Sequence, residues 1–215
     1  MSLNRISVVL ADDHTMVRES LARVLEESGR VEVRGQASDG RELLDVVRRE
    51  SPDLVVLDYS MPELDGPRAI ESLLSEHKRL KLLVLTVHEN VHYAVRALDA
   101  GAHGYMIKSA AVDELVGAID SVWRGEIYIS PKVAQEVWAM LRRPKRERFG
   151  MEALSNREFD TLRILGSGQS LQECAHEMNV SVSTVSTYRA RVLEKLNLAN
   201  TAELIRFAFE NDIGR

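Results

Sequence analysis

Five strand-like runs, most of them apolar, each followed by a stretch of helical periodicity, limit what this chain can fold into more than any other feature. The runs are ISVVLA (6–11), VEVRGQA (31–37), LVVLD (54–58), LLVLTV (82–87) and GYMI (104–107). Between and after them lie MVRESLARVLEES, RELLDVVRRE, PRAIESLLSE, VHYAVRALDAG and VDELVGAIDSVWRG, in which apolar residues return at three- and four-residue intervals. Near-continuous apolar strands are buried on both faces, and parallel neighbours need crossover connections of about a dozen residues or more. Five such units predict an α/β fold, a five-stranded doubly wound parallel sheet, over residues 1–125.

In such a sheet the binding crevice lies at the carboxyl ends of the strands. The first strand runs into Asp12 and Asp13, the third ends in Asp58, the fourth carries Thr86 and the fifth leads to Lys108. An apolar strand running into a carboxylate is costly unless that carboxylate has a task. Three neighbouring carboxylates repel one another unless a cation joins them, and an all-oxygen site with open positions suits Mg²⁺. A hydroxyl and an ammonium opposite them suit a phosphoryl group. The edge therefore reads as a phosphoryl-transfer site in which one carboxylate is the nucleophile, Mg²⁺ neutralises charge, and Thr86 and Lys108 bind phosphoryl oxygens. GxxxxGK[ST] is absent, so the phosphate is expected from another protein or a small phosphodonor.

At 215 residues the chain is long enough for two compact units. A lone Cys174 excludes an intramolecular disulfide, and no CxxC or HExxH spacing offers a zinc site. With no signal-peptide pattern and no apolar run of transmembrane length, the expected location is a reducing cytoplasm, away from any membrane. Residues 126–149 hold 6 Lys+Arg against 3 Asp+Glu in a chain of net charge −5. LRRPKRERFG, with Pro144 and Gly150, reads as a solvated linker preceded by a helix rather than as a holder of DNA phosphates.

Residues 150–215 read as four helices. Ser155 and Glu158 form a capping-box pattern ahead of the first, Ser170 caps the second, VSVSTVSTYRARVLEKLN is the third and NTAELIRFAFEN the fourth. The second and third, joined by a tight turn at NVS, make a helix-turn-helix. In the third helix Val185, Tyr188, Val192 and Leu196 follow the 3.6 period toward the core. Ser183, Ser186, Thr187, Ala190 and Arg191 then point outward, small or hydrogen-bonding groups on a helix able to enter a major groove. Arg189 lies nearer the core stripe, where it can pair with an acidic neighbour, and Lys195 adds a third cation to the helix. Cys174, in QECAHEM, is expected in the core.

ADDH (11–14), LDYSMPELDG (57–66), LT (85–86) and GYMIK (104–108), in this order and spacing, resemble the receiver domain of two-component response regulators over about residues 5–125. The resemblance implies that Asp58 is the phosphoacceptor and that Asp13 and Asp58 ligate Mg²⁺ together with the backbone carbonyl of Ser60. Asp12 would act directly or through water, Thr86 would meet the phosphoryl group, and Lys108 would pair with it. Tyr105 stands at the family's switch aromatic. The implied picture is that Thr86 moves toward the phosphate and Tyr105 follows inward, altering the surface around helix 4, strand 5 and helix 5. Two residues depart from the pattern. Val87 stands where a small residue is usual and is expected to crowd phosphate entry or the switch. Ser109 stands where many receivers have a cis proline, and a cis bond without proline costs about 3 kcal/mol.

LSNRE (154–158), VSVSTVSTY (180–188) and EKLN (194–197) resemble the LuxR/FixJ-type DNA-binding domain, and STYRAR is most similar to regulators of the BvgA, EvgA and GacA kind. The implied DNA-binding residues are Ser183, Ser186, Thr187, Arg189, Arg191 and Lys195, with Ser186 where many relatives have a lysine. The whole resembles the NarL/FixJ family of response regulators. A sensor histidine kinase would be the phosphate source, and phosphorylation would control dimerisation into a homodimer on promoter DNA, with RNA polymerase as a further partner. Such a protein catalyses only its own aspartyl phosphorylation and dephosphorylation. Two other classes remain open. A haloacid-dehalogenase-like phosphatase would need a second aspartate where Ser60 stands, and an adaptor would carry an acidic four-helix bundle that binds protein instead of DNA.

Overall fold

The computed structural model describes residues 5–59, 61, 66–109, 112–142 and 149–214, with the side chains of 112 and 113 apart. Ser60, expected near the metal, and most of the basic run, at 143–148, lie outside the described residues. The chain divides into two compact units, one of residues 1–89 and 93–135 and the other of residues 90–92 and 136–215.

The first unit alternates strand and helix as the periodicity requires: β1 Ile6–Ala11, α1 Thr15–Glu27, β2 Val31–Ala37, α2 Gly40–Glu50, β3 Leu54–Asp58, α3 Gly66–Glu76, β4 Lys81–Thr86, α4 Val91–Asp99, β5 Gly104–Ile107 and α5 Val112–Trp123. All pairings are parallel, in the order β2-β1-β3-β4-β5-β6. The sixth strand, β6 Tyr128–Ile129, corrects the five-stranded expectation. Two residues are too few to show a period, and this strand exists because β5 offers it an edge. The α6 helix, Pro131–Leu141, comes at once after it, where a helix was expected ahead of the linker.

One sheet face packs Val8, Leu10, Val56, Leu83, Leu85 and Met106 against Leu25 of α1 and Leu115, Ile119 and Val122 of α5. Near-complete burial of β1, β3 and β5 explains why these strands read as apolar runs rather than alternations, whereas edge strand β2 alternates. Asp39 caps α2, accepting from the amides of Arg41 and Glu42, each at 2.9 Å. At the opposite end from the strand termini, Asp53 accepts from Ser7 N and Ser7 Oγ at 2.9 and 2.6 Å, which ties the start of β1 to the approach to β3.

The second unit holds α7 Asn156–Gly166, α8 Leu171–Glu177, α9 Val182–Leu196 and α10 Thr201–Glu210. Capping boxes at Ser155/Glu158 and Ser170/Glu173 start α7 and α8. Ser181 and Asn200 cap α9 and α10 through the amides of Thr184 and Glu203. The turn between α8 and α9 passes through Asn179 at φ +52, a conformation asparagine tolerates. Phe159, Leu162, Leu165, Cys174, Val185, Val192 and Leu204 fill the core, and burial pushes the Cys174 thiol up to about 11, so it is a packing residue as expected. A Cβ on Gly166 would stand 2.4 Å from that of Ala208, so glycine lets α7 and α10 pack this closely.

Candidate functional site

The sheet order places β1 between β2 and β3, and β4 beside β3, so the ends of β1, β3, β4 and β5 open on one crevice. Asp58 pairs in register with Leu85, and Thr86 with Ile107, the residue before Lys108. From there Lys108 Nζ donates to Asp12 Oδ2 at 2.7 Å and to Asp58 Oδ2 at 2.6 Å. Both carboxylates are nearly buried, their side chains 5% and 4% exposed. Burial alone would lower the lysine's pKa, but these hydrogen bonds and the charges behind them outweigh it and hold the ammonium above its ordinary range.

Asp13 completes the cluster, and ligand atoms of Asp12, Asp13, His14 and Asp58 all lie within 4.8 Å of one another. His14 N donates to Asp12 Oδ1 at 2.8 Å, and His14 Nδ1 lies 2.8 Å from Asp13 Oδ1. That oxygen is nonetheless buried without a hydrogen bond. One ammonium cannot neutralise three carboxylates, and three carboxylates with one buried oxygen without a hydrogen bond fit a hard divalent cation, with the imidazole of His14 beside them. His14 and Arg18 were not singled out from the sequence. Arg18 folds back to donate through Nη1 to the Asp12 carbonyl and through Nε to Gln36 Oε1 at 3.2 Å, bracing the turn that carries the acidic pair. The position of His14 beside two aspartates was the available signal for the first, and nothing local marked the second.

Thr86 is fully buried, and its Oγ1 accepts from His88 N at 3.2 Å. Tyr105 is also fully buried and donates to the His88 carbonyl at 2.8 Å, so one residue holds both the threonine and the aromatic. The His88 ring stacks on Tyr93 at 4.3 Å, and Tyr59, the residue after Asp58, meets Tyr93 edge-on at 5.5 Å. Val87, after Thr86, is 61% exposed. The Lys108–Ser109 bond is trans, as are all peptide bonds among the described residues.

In the second unit α9 presents exposed Ser183, Thr187, Ala190 and Arg191, with Ser186 half-buried. Val185 and Val192 are buried as the period requires, while Tyr188 and Leu196 are only half-buried. Two of the cations expected at DNA have partners inside the domain. Lys195 Nζ donates to Glu158 Oε2 at 2.6 Å and to the Ala153 carbonyl at 3.1 Å, so its charge is committed to a buried carboxylate inside the domain. Arg189 lies against the core, its Nη1 reaching Thr201 Oγ1 at 3.4 Å and its Nε buried without a partner; the acidic neighbour expected for it is a hydroxyl instead. Arg191 and Lys195 are exposed, and Arg189 is half-buried.

A parallel α/β unit with an acidic crevice, joined to a helix-turn-helix unit, defines a two-domain regulator. Residues 8–120 match the response regulator receiver domain, and residues 152–208 match the bacterial regulatory proteins of the luxR family. The chain belongs to the response regulators that join a receiver domain to a LuxR-type DNA-binding domain. It is 35% identical to the response regulator GacA of Pseudomonas aeruginosa over 203 residues, 94% of this chain and 95% of that protein. In fold it is similar to the RcsB response regulator of Salmonella typhimurium, at TM-score 0.78 and 24% identity over 96% of this chain and 98% of that one. It is also similar to RcsB of Salmonella enterica serovar Typhimurium bound to promoter rprA in the presence of phosphomimetic BeF3⁻, at TM-score 0.73 and 25% identity over 95% and 98% of the two chains. Membership of this family sets aside the phosphatase and adaptor readings. Among the described residues no helix is long and apolar enough to cross a membrane.

Proposed function

We propose that Asp58 accepts a phosphoryl group from a sensor histidine kinase, or from a small acyl phosphate, and that this controls DNA binding by the second domain. The observation that carries the reading is Lys108 Nζ bridging Asp12 and Asp58 at 2.7 and 2.6 Å. An ammonium already seated on the nucleophile is placed to meet the charge a phosphoryl group would add. In the transfer a carboxylate oxygen of Asp58 forms a bond to phosphorus as the bond from phosphorus to the donor breaks, and the donor leaves as imidazole or carboxylate. Hydrolysis by water reverses the modification, so the chain acts on itself and turns over no other substrate. Asp12, Asp13 and Asp58, with the Ser60 carbonyl, would hold Mg²⁺, which screens the approaching phosphoryl oxygens from the carboxylates. Thr86 would exchange its bond to His88 N for one to the phosphoryl group, and Tyr105, bonded to the same residue, would respond.

The second domain reads DNA through Ser183, Ser186, Thr187 and Arg191 of α9. The α9 amino end carries a ring of hydroxyls, with Ser181 Oγ 2.8 Å from both Ser183 Oγ and Thr184 Oγ1. A two-fold dimer would double the contacts of one small module and read two half-sites. RcsB bound to promoter rprA with a phosphomimetic supports promoter DNA as the partner here. RNA polymerase is the further partner of such a regulator, and the cytoplasm its compartment. Incubation with acetyl phosphate and Mg²⁺ tests the centre of this reading: one acid-labile phosphoryl group should appear on Asp58, and labelling that persists in Asp58→Asn would defeat the assignment.

A further inference from the structure

Ser130 is buried, 3% exposed, at the end of the short β6. It precedes Pro131, the first residue of α6, and so stands where a serine hydroxyl ordinarily caps a helix by accepting from an amide of its first turn. Its hydroxyl turns instead to the sheet. Ser130 Oγ accepts from Ile107 N at 3.1 Å, and Ser130 N donates to the Tyr105 carbonyl at 2.9 Å. Its backbone carbonyl serves α6, accepting from the amides of Val133 and Ala134, each at 3.1 Å. One residue thus joins the end of β5, immediately before Lys108, to the start of α6.

A second residue braces the first. On the same face of β6, the Tyr128 hydroxyl donates to Glu114 of α5 and neighbours the Ser130 hydroxyl. Burial first, and then the Glu114 hydrogen bond, push the phenol well above its ordinary value, so it keeps its proton and remains a donor. The strand comes this near because residue 104 is glycine: a Cβ there would stand 2.7 Å from Leu83 Cδ1 and 3.1 Å from the Tyr128 carbonyl. A pair of two-residue partners has little register of its own, so the buried side-chain hydrogen bonds fix it.

We propose that Ser130, with Tyr128 behind it, is a positioning residue of the phosphoryl centre: it sets the end of β5 from which Lys108 reaches Asp12 and Asp58, and it passes a change at that centre to the start of α6. This rests on the reading of Lys108 as the phosphoryl partner. The side chain touches neither the acceptor nor the metal ligands, so its loss leaves the chemistry of Asp58 in place and weakens the response of the chain to phosphorylation.

The test uses the full chain, acetyl phosphate with Mg²⁺, and a duplex that the wild-type protein selects from a random pool. Ser130→Ala should still be labelled on Asp58, with Mg²⁺ affinity and unphosphorylated DNA binding unchanged. The gain in DNA affinity on phosphorylation should fall by about 5-fold or more, the lower range of measured couplings between sites. Ser130→Thr, which keeps the hydroxyl, should restore the gain, and Tyr128→Phe should lose part of it. Val47→Ala, a buried change on α2, serves as a control of comparable thermal destabilisation and should keep the full gain. A wild-type gain in phosphorylated Ser130→Ala and Tyr128→Phe would overturn the proposal, as would an equal loss in the Val47→Ala control. Failure to label the wild-type chain is a different result, and would overturn the reading of the site as well.

Discussion

The crevice of the first domain and the outer face of α9 both gather polar side chains, but they hold them in opposite ways. In the crevice Asp12, Asp58 and Lys108 are withdrawn from water and fixed on one another at 2.6 to 2.7 Å. On α9 the groups fitted to read DNA stand in solvent, and the cations nearest the core are already committed, Lys195 to Glu158 and Arg189 to Thr201. Chemistry at an aspartate needs charge held in place before the reactant arrives, because fixed dipoles and charges in a dry site need not reorganise. Reading a duplex needs donors and acceptors that water can leave and a base edge can replace.

The largest effect separating the two settings should be complete. Asp58→Asn removes the nucleophile, and phosphoryl incorporation from acetyl phosphate should vanish while the affinity of unphosphorylated protein for DNA stays the same. Next comes Lys108→Ala, which leaves Asp12 and Asp58 facing each other without their shared ammonium. Breaking a buried ion pair from one side costs about 3–5 kcal/mol, so urea unfolding in the presence of a chelator should show a loss of that order. Added Mg²⁺ should restore part of it. A loss below about 1 kcal/mol would mean that the crevice is wetter than its burial indicates.

Smaller effects are expected on α9. Thr187 Oγ1 donates to the Ser183 carbonyl at 3.1 Å, which leaves its lone pair and its methyl for the duplex. It therefore suits a base donor or a thymine methyl, and Thr187→Ala should cost about 1–3 kcal/mol on a preferred site and little on scrambled DNA. Arg191→Ala should weaken both DNAs alike and lower the salt slope by about 1 per subunit. Salt titrations on both duplexes would reject the recognition role of α9 if neither variant departs from wild type.

Lys195 supplies the contrast and the smallest change in DNA binding. Lys195→Met should leave the salt slope unaltered and appear instead in stability. Burial pushes Glu158 upward, but Lys195 and the Ser155 amide more than reverse this and hold it below its ordinary 4.5. A depressed folded pKa stabilises the domain above the unfolded value, and that contribution is lost as pH falls through the folded one. Thermal stability of wild type should therefore fall as pH drops below 4.5, and Lys195→Met should show less of this dependence. A reduced salt slope for Lys195→Met would return this lysine to the DNA.

Local chemistry made much of this molecule legible in one dimension. Apolar runs ending in Asp12, Asp58 and Thr86 set the strands, and with them the edge where polar groups meet. Ser155 with Glu158 announced a helix start that the structure repeats. The 3.6 period of Val185 and Val192 oriented α9 well enough to place Thr187 and Arg191 outside. These signals are legible because a strand, a cap or a helix face is decided by residues within a few positions of one another.

Other features depend on partners far along the chain, and only the folded molecule settles them. Lys195 meets buried Glu158 across 37 residues, a partner that no local pattern shows. Ser130 stands just before Pro131 at the start of α6, yet β5 lies beside it and its hydroxyl accepts from Ile107 N across 23 residues. β6 has no pattern of its own and forms because Gly104 lets it approach. A hydrogen-bonding side chain goes to whichever buried donor or acceptor most needs a partner, and burial is a property of the packed whole.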